Sequence, residues 1–193
     1  MSVIAKNDSN SNNKIHPKKF GLYLAFASIM MMFAGLTSAY IVRQAAGNWL
    51  EFKLPNIFFI NTLVILLSSV TLHFSYKGFL GGKEMQYKML LLLSGILGLT
   101  FIVLQYVGWM ELNAIGVDLK GNPAGSFVYV ISGIHAAHVL GGVGAIVVAN
   151  LHAFSLKYKV TPARKLRFDL TIQYWHFVDL LWVYLIVFLV MQR

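Results

Sequence analysis

Gln173–Trp182 reads QYWHFVDLLW, an otherwise apolar run that carries an imidazole and a carboxylate three residues apart. On a helix His176 and Asp179, at i and i+3, share one face. An ionisable side chain in hydrocarbon is costly and is kept where it has a task or a partner. Three uses compete: a redox or metal site, a path for protons or substrate, or a polar clamp between helices.

The composition shows what surrounds that run. Of 193 residues 58% are hydrophobic, with no cysteine, and the mean hydropathy is +0.66. A soluble domain is nearer 45–50% apolar. Apolar runs of about 20 residues, enough to cross roughly 30 Å of hydrocarbon, are predicted over about 20–43, 56–76, 89–112, 126–151 and 170–191. Every backbone group in lipid must be paired internally, so segments of this length read as helices, whereas barrel strands are shorter and alternate in polarity. The expected fold is an all-α polytopic membrane protein with five transmembrane helices. Pro17, Pro55, Pro123 and Pro162 each stand shortly before a span, where the missing N–H does least harm. Without cysteine there is no thiolate-held cluster and no disulfide framework.

The opening stretch MSVIAKNDSNSNNKIHPKK is polar and has neither the apolar core nor the cleavage site of a signal peptide. Residues 1–17 are expected to form a disordered cytoplasmic tail, and 18–193 a single five-helix domain. Of the 16 Lys and Arg, twelve lie before the first span, around the second loop or in the loop after the fourth span. Four, Arg43, Lys53, Lys120 and Arg193, lie on the other side. That asymmetry predicts a cytoplasmic N-terminus and an external C-terminus. It also accounts for the net charge of +9 without any nucleic-acid partner. Ala34, Gly35, Ser38, Ala39, Gly95, Gly98, Gly141, Gly142, Gly144 and Ala145 lie within spans, where small residues let helix backbones approach closely. No internal repeat is visible, which disfavours a secondary transporter.

Asp179 is the acidic residue clearly inside a span, and His73, His135, His138 and His176 are the histidines within spans. At 1.5 Å per residue, His138 is roughly 20 Å and Asp179 roughly 14 Å from the basic side, depths at which the two can meet with modest tilt. Haem ligation by facing histidines and a carboxylate–histidine metal site stay open beside a clamp in which Asp179 accepts histidine or tryptophan N–H groups.

QYWHFVDLLW together with SGIHAAHVLGG (Ser132–Gly142) resembles subunit III of the haem–copper respiratory oxidases. FASIMMMFAGLTSAYIVR (Phe26–Arg43), LPNIFFINTLVILLSSVTLH (Leu54–His73) and LGLTFIVLQYVGW (Leu97–Trp109) resemble the family's other helices in order. The likeness runs from about Lys18 to the C-terminus and is to the short, five-helix bacterial form. Two positions depart from the pattern. Ile29 follows Ala27 and Ser28 where the family commonly has a buried glutamate, and Gly108 stands three residues after Gln105 where a second acidic residue is common. Glu111 is one turn further on; Asp169 matches an acidic residue at the start of the last helix.

The resemblance implies a supporting subunit without haem or copper of its own, those centres belonging to partner subunits of a proton-translocating terminal oxidase in the bacterial inner membrane. Subunit I is implied as the direct partner, with subunit II, a small subunit IV and a respiratory supercomplex as wider partners. The implied shape is a V of two helix groups holding structural phospholipid. Arg167 and Lys165 are expected at its headgroups and Trp175 and Tyr174 along its chains. His135, His138, His176 and Asp179 are assigned to the polar clamp. The alternatives are a related protein associated with nitric oxide reductases, a small membrane transporter, and a haem-binding membrane protein.

Overall fold

The computed structural model describes residues 16–192; the expected tail over 1–15 lies outside them. The described residues form α1 (Pro17–Ala45), α2 (Ile57–Leu80), α3 (Glu84–Ala114), α4 (Pro123–Ser155) and α5 (Pro162–Met191). All five are long and apolar enough to cross a membrane.

Three helices begin as their prolines dictate. Pro17, Pro123 and Pro162 each open a helix, and the side chains of His16, Asn122 and Thr161 accept backbone N–H groups of the first turn. Such caps satisfy donors that have no partner within the helix. The helices outrun the predicted spans, most at the basic end, where α3 starts at Glu84 rather than 89 and α5 at Pro162 rather than 170. An apolar window stops at the first charges, but backbone hydrogen bonding does not. The 33 residues of α4 make about 50 Å of helix against roughly 30 Å of hydrocarbon.

α2, α3, α4 and α5 form a closed ring of neighbours, while α1 packs on α4 and α5 and touches neither α2 nor α3. The division into two groups is therefore four helices and one. The inward face of α5 carries Phe168, Ile172, Trp175, Asp179, Trp182, Ile186 and Leu189, all buried. Their alternating steps of four and three are the heptad of left-handed helix packing. On α1 a similar stripe, Lys19, Leu22, Phe26, Ile29, Phe33, Leu36 and Tyr40, is its most covered face. α1 and α5 run parallel, and their side chains meet in order: Lys19 with Asp169, Phe26 stacked on Phe177 with ring centroids 4.2 Å apart, Thr37 with Tyr184, and Gln44 on the Gln192 carbonyl.

Candidate functional site

The polar side chains of α2 come in adjacent pairs, and the pairs divide between two neighbours. Asn61 Nδ2 donates to Gln105 Oε1 of α3 at 3.1 Å, while the Thr62 hydroxyl accepts from Trp182 Nε1 of α5 at 3.0 Å. One heptad on, the Ser68 and Ser94 hydroxyls each donate to the other's carbonyl across α2 and α3, at 3.0 and 3.2 Å. Ser69 bonds His176 Nδ1 of α5. A further heptad on, Ser75 donates to the Tyr87 carbonyl of α3, and the Tyr76 ring packs edge-on against Phe168 of α5. Consecutive helical residues point about 100° apart, so one residue of each pair serves α3 and the next serves α5. The Asn-Thr and Ser-Ser pairs, seven residues apart, were a visible sequence signal for this arrangement.

α4 is tied in the same manner. Trp109 Nε1 donates to Ser132 Oγ at 2.9 Å, Asn150 Nδ2 to the Leu91 carbonyl at 3.3 Å, and the Tyr174 hydroxyl to the His138 carbonyl at 3.0 Å. Interhelical bonds of this kind contribute roughly 0.6 kcal/mol each in membranes, with a maximum of about 1.7. Their number matters more than any single one.

The four residues assigned to the clamp do not form one. His138 turns to its own helix, Nδ1 bonded to the Ile134 carbonyl at 2.8 Å, with its ring edge-on to Phe33 of α1. His135 is fully buried between aromatic rings, stacked on Trp182 at 4.8 Å and edge-on to Phe101, and neither ring nitrogen has a partner among the described residues. Asp179 is 3% exposed, and neither carboxyl oxygen has a hydrogen-bond partner among the described residues. Of the four, His176 alone makes a side-chain bond to another helix, through Ser69. Matching depth does not set direction: His138 looks towards α1, whereas His176 looks towards α2. Among the described residues no three histidine, aspartate or glutamate side chains come together as metal ligands.

The expected lipid residues also separate. Trp175 is 1% exposed, so its ring does not lie along lipid. It sits where Gly98 of α3 and Gly142 of α4 leave room; a Cβ added at either would stand 2.9 or 2.8 Å from ring atoms. Tyr174 is half-buried beside Gly141 and Phe26. Lys165 is exposed on the first turns of α5. Arg167 lines a cavity of about 400 Å³ between the basic ends of α4 and α5, along with Arg164, His152, Tyr158 and apolar residues including Val148 and Phe168. Arg164, which sequence reasoning passed over, also donates to the Lys157 and Lys159 carbonyls.

Both departures from the resembled pattern are apolar contacts. Ile29 is half-buried against the core. Gly108 admits α2 so closely that a Cβ would stand 3.1 Å from Ile57 and Phe58. Glu111 is exposed near the end of α3.

The family model described as cytochrome c oxidase subunit III matches residues 12–192. A cytochrome c oxidase subunit 3 of Corynebacterium diphtheriae is 31% identical over 179 residues, covering 89% of this chain and 86% of the relative. A probable cytochrome c oxidase subunit 3 of Mycobacterium tuberculosis is 28% identical, over 90% of this chain and 87% of its own. The cytochrome c oxidase subunit 3 of Pelomedusa subrufa is 32% identical over 86% of this chain and 66% of its own length. A match over nearly the whole chain, together with five membrane-length helices in one array, makes this chain a member of the cytochrome c oxidase subunit III family.

Proposed function

We propose that this chain is the accessory, redox-inert subunit of a proton-pumping terminal oxidase, set beside the catalytic subunit I with its basic end in the cytoplasm and holding phospholipid at that end. The observation that carries this reading is where the polar side chains are used. Those of α2 bond α3 and α5, and those of α4 and α5 bond their neighbours. Side chains so engaged serve to fix helices, the work of a supporting subunit. The excess of lysine and arginine at one end favours the cytoplasmic placement.

The cavity between α4 and α5 supports the lipid part. Its walls are mainly apolar and include the side chains of Arg164, Arg167 and His152. A guanidinium fork suits phosphate oxygens, and the apolar wall suits an acyl chain. Subunit II, a small subunit IV and a larger respiratory assembly complete the proposed partners, with haem and copper held by partner subunits.

Purification of the tagged chain in mild detergent tests both parts. A large haem–copper subunit should travel with it, and Arg164→Gln with Arg167→Gln should lower bound phospholipid per complex at unchanged haem content. If no such subunit co-purifies, the accessory reading fails; unchanged phospholipid in the double variant removes the lipid site alone.

A further inference from the structure

Asp179 takes no part in the bonds that fix the helices, although the Ser69–His176 bond beside it does. Asp179 lies at 3% exposure on the face of α5 that meets α2, with both oxygens unpartnered among the described residues. The Ser69 hydroxyl of α2 lies beside it and is bonded instead to His176 Nδ1, one turn along α5. The half-buried His176 ring is followed by His73 of α2, with centroids 6.0 Å apart, and His73 is exposed at the α2–α5 surface. Lys77 follows His73 by one turn. His73 is seven residues from the end of α2 at Leu80, about 10 Å of helix.

We propose that Asp179 is a proton-exchanging carboxylic acid, connected through the Ser69 hydroxyl and the His176 and His73 imidazoles to the basic-end surface between α2 and α5. An ionised carboxylate in hydrocarbon needs a cation or several donors. None reaches Asp179 from the neighbouring elements. α1 brings Lys19, which is bonded to Asp169 of α5. α2 brings Ser69 and His73. α4 brings His135 and His138, which pack on Trp182 and Phe33. A neutral carboxyl is an O–H donor, and Ser69 is the acceptor at hand.

One proton moves, and the count is conserved. The Asp179 O–H gives its proton to Ser69 Oγ, and Ser69 gives its own to His176 Nδ1. The proton on His176 Nε2 leaves for His73, directly or through one bridging water. Asp179 is then a carboxylate and His176 again a neutral ring, carrying its proton on the other nitrogen. Return of a proton from His73 by the reverse steps restores the acid. Chains of aspartate, histidine and hydroxyl groups serve as proton relays in membranes. This row ends on a buried carboxyl with no onward partner among the described residues, so it stores and returns a proton and does not pass one across the bilayer.

Infrared spectroscopy of the chain, purified with whatever it is bound to, tests the row. A protonated-carboxyl C=O band should disappear in Asp179→Asn and shift on transfer to heavy water. The half-time of that shift should lengthen at least tenfold in Ser69→Ala and in His73→Phe, and return towards the starting value in Ser69→Thr. Circular dichroism and the thermal midpoint check that each variant is folded. Absence of a carboxyl band attributable to Asp179, or equally fast exchange in folded Ser69→Ala and His73→Phe, overturns the proposal. Neither result bears on whether the chain accompanies an oxidase, so the two readings fail separately.

Discussion

The Trp175 ring of α5 occupies the notch left by Gly142 of α4, where an added Cβ would stand 2.8 Å from its Cε3. Gly98 of α3 completes the notch from the opposite side. One indole therefore sets the distance among three helices, and the first prediction below tests that spacing.

Gly142→Val should force α4 from α5 and lower the thermal midpoint at which subunit III leaves its complex. Trp175→Ala should cost about 3–5 kcal/mol, the usual range for deleting a large buried aromatic ring. Combining Gly142→Ala with Trp175→Phe should recover part of the loss seen in Gly142→Ala alone. A double variant no better than the single would show that the contact is not what limits stability.

The Asn61–Gln105 pair gives a test of polar bonds between helices. Asn61→Leu leaves a buried Gln105 amide without its partner, which costs about 1–3 kcal/mol. Adding Gln105→Leu removes the stranded group and should restore most of the midpoint. Thermal melts of the four members of this double-mutant cycle give the coupling directly; a sum of independent losses would refute it.

Much of the fold is legible in the sequence. Prolines 17, 123 and 162 mark helix starts, and the run of apolar windows gives the five helices in order. The polar residues inside the spans stand out in the sequence, but which of them pair does not. Counting residues from a membrane face yields depth, which placed His138 and Asp179 together; it carries no azimuth, and the two look to different neighbours. The missing azimuth was partly present as a heptad, since Phe168, Ile172, Trp175, Trp182 and Leu189 repeat at core spacing. Read that way, Trp175 belongs inside. The cavity holding Arg164 depends on how the α4–α5 connection folds back, for which spacing offers no rule.

Lys19 and Asp169 close the basic end of the α1–α5 seam, both partly exposed. Exposed pairs contribute about 0–1 kcal/mol, so Asp169→Asn should loosen that end with little change in global stability. Faster cross-linking or proteolysis near Lys18, abolished in the charge-exchanged variant with Lys19→Asp and Asp169→Lys, is the expected outcome. Equal accessibility in all variants would remove the pair from the account of α1.

Ile29→Glu reintroduces an acidic side chain at a half-buried seam position. Ile29 packs against the core there, and a carboxylate without a partner is costly in hydrocarbon. The variant should melt earlier than Ile29→Gln, and earlier still as pH rises and the carboxyl ionises. A pH-independent midpoint would mean that water reaches the seam.

Because α1 touches only α4 and α5, it precedes α2 and α3 in the chain yet meets its neighbours after both are made. During synthesis it must wait in the bilayer while more than half the chain emerges, whereas α2 and α3 can pair as soon as both are threaded. Docking of α1 therefore has to follow α4, and a lesion in α5 removes one of its two supports.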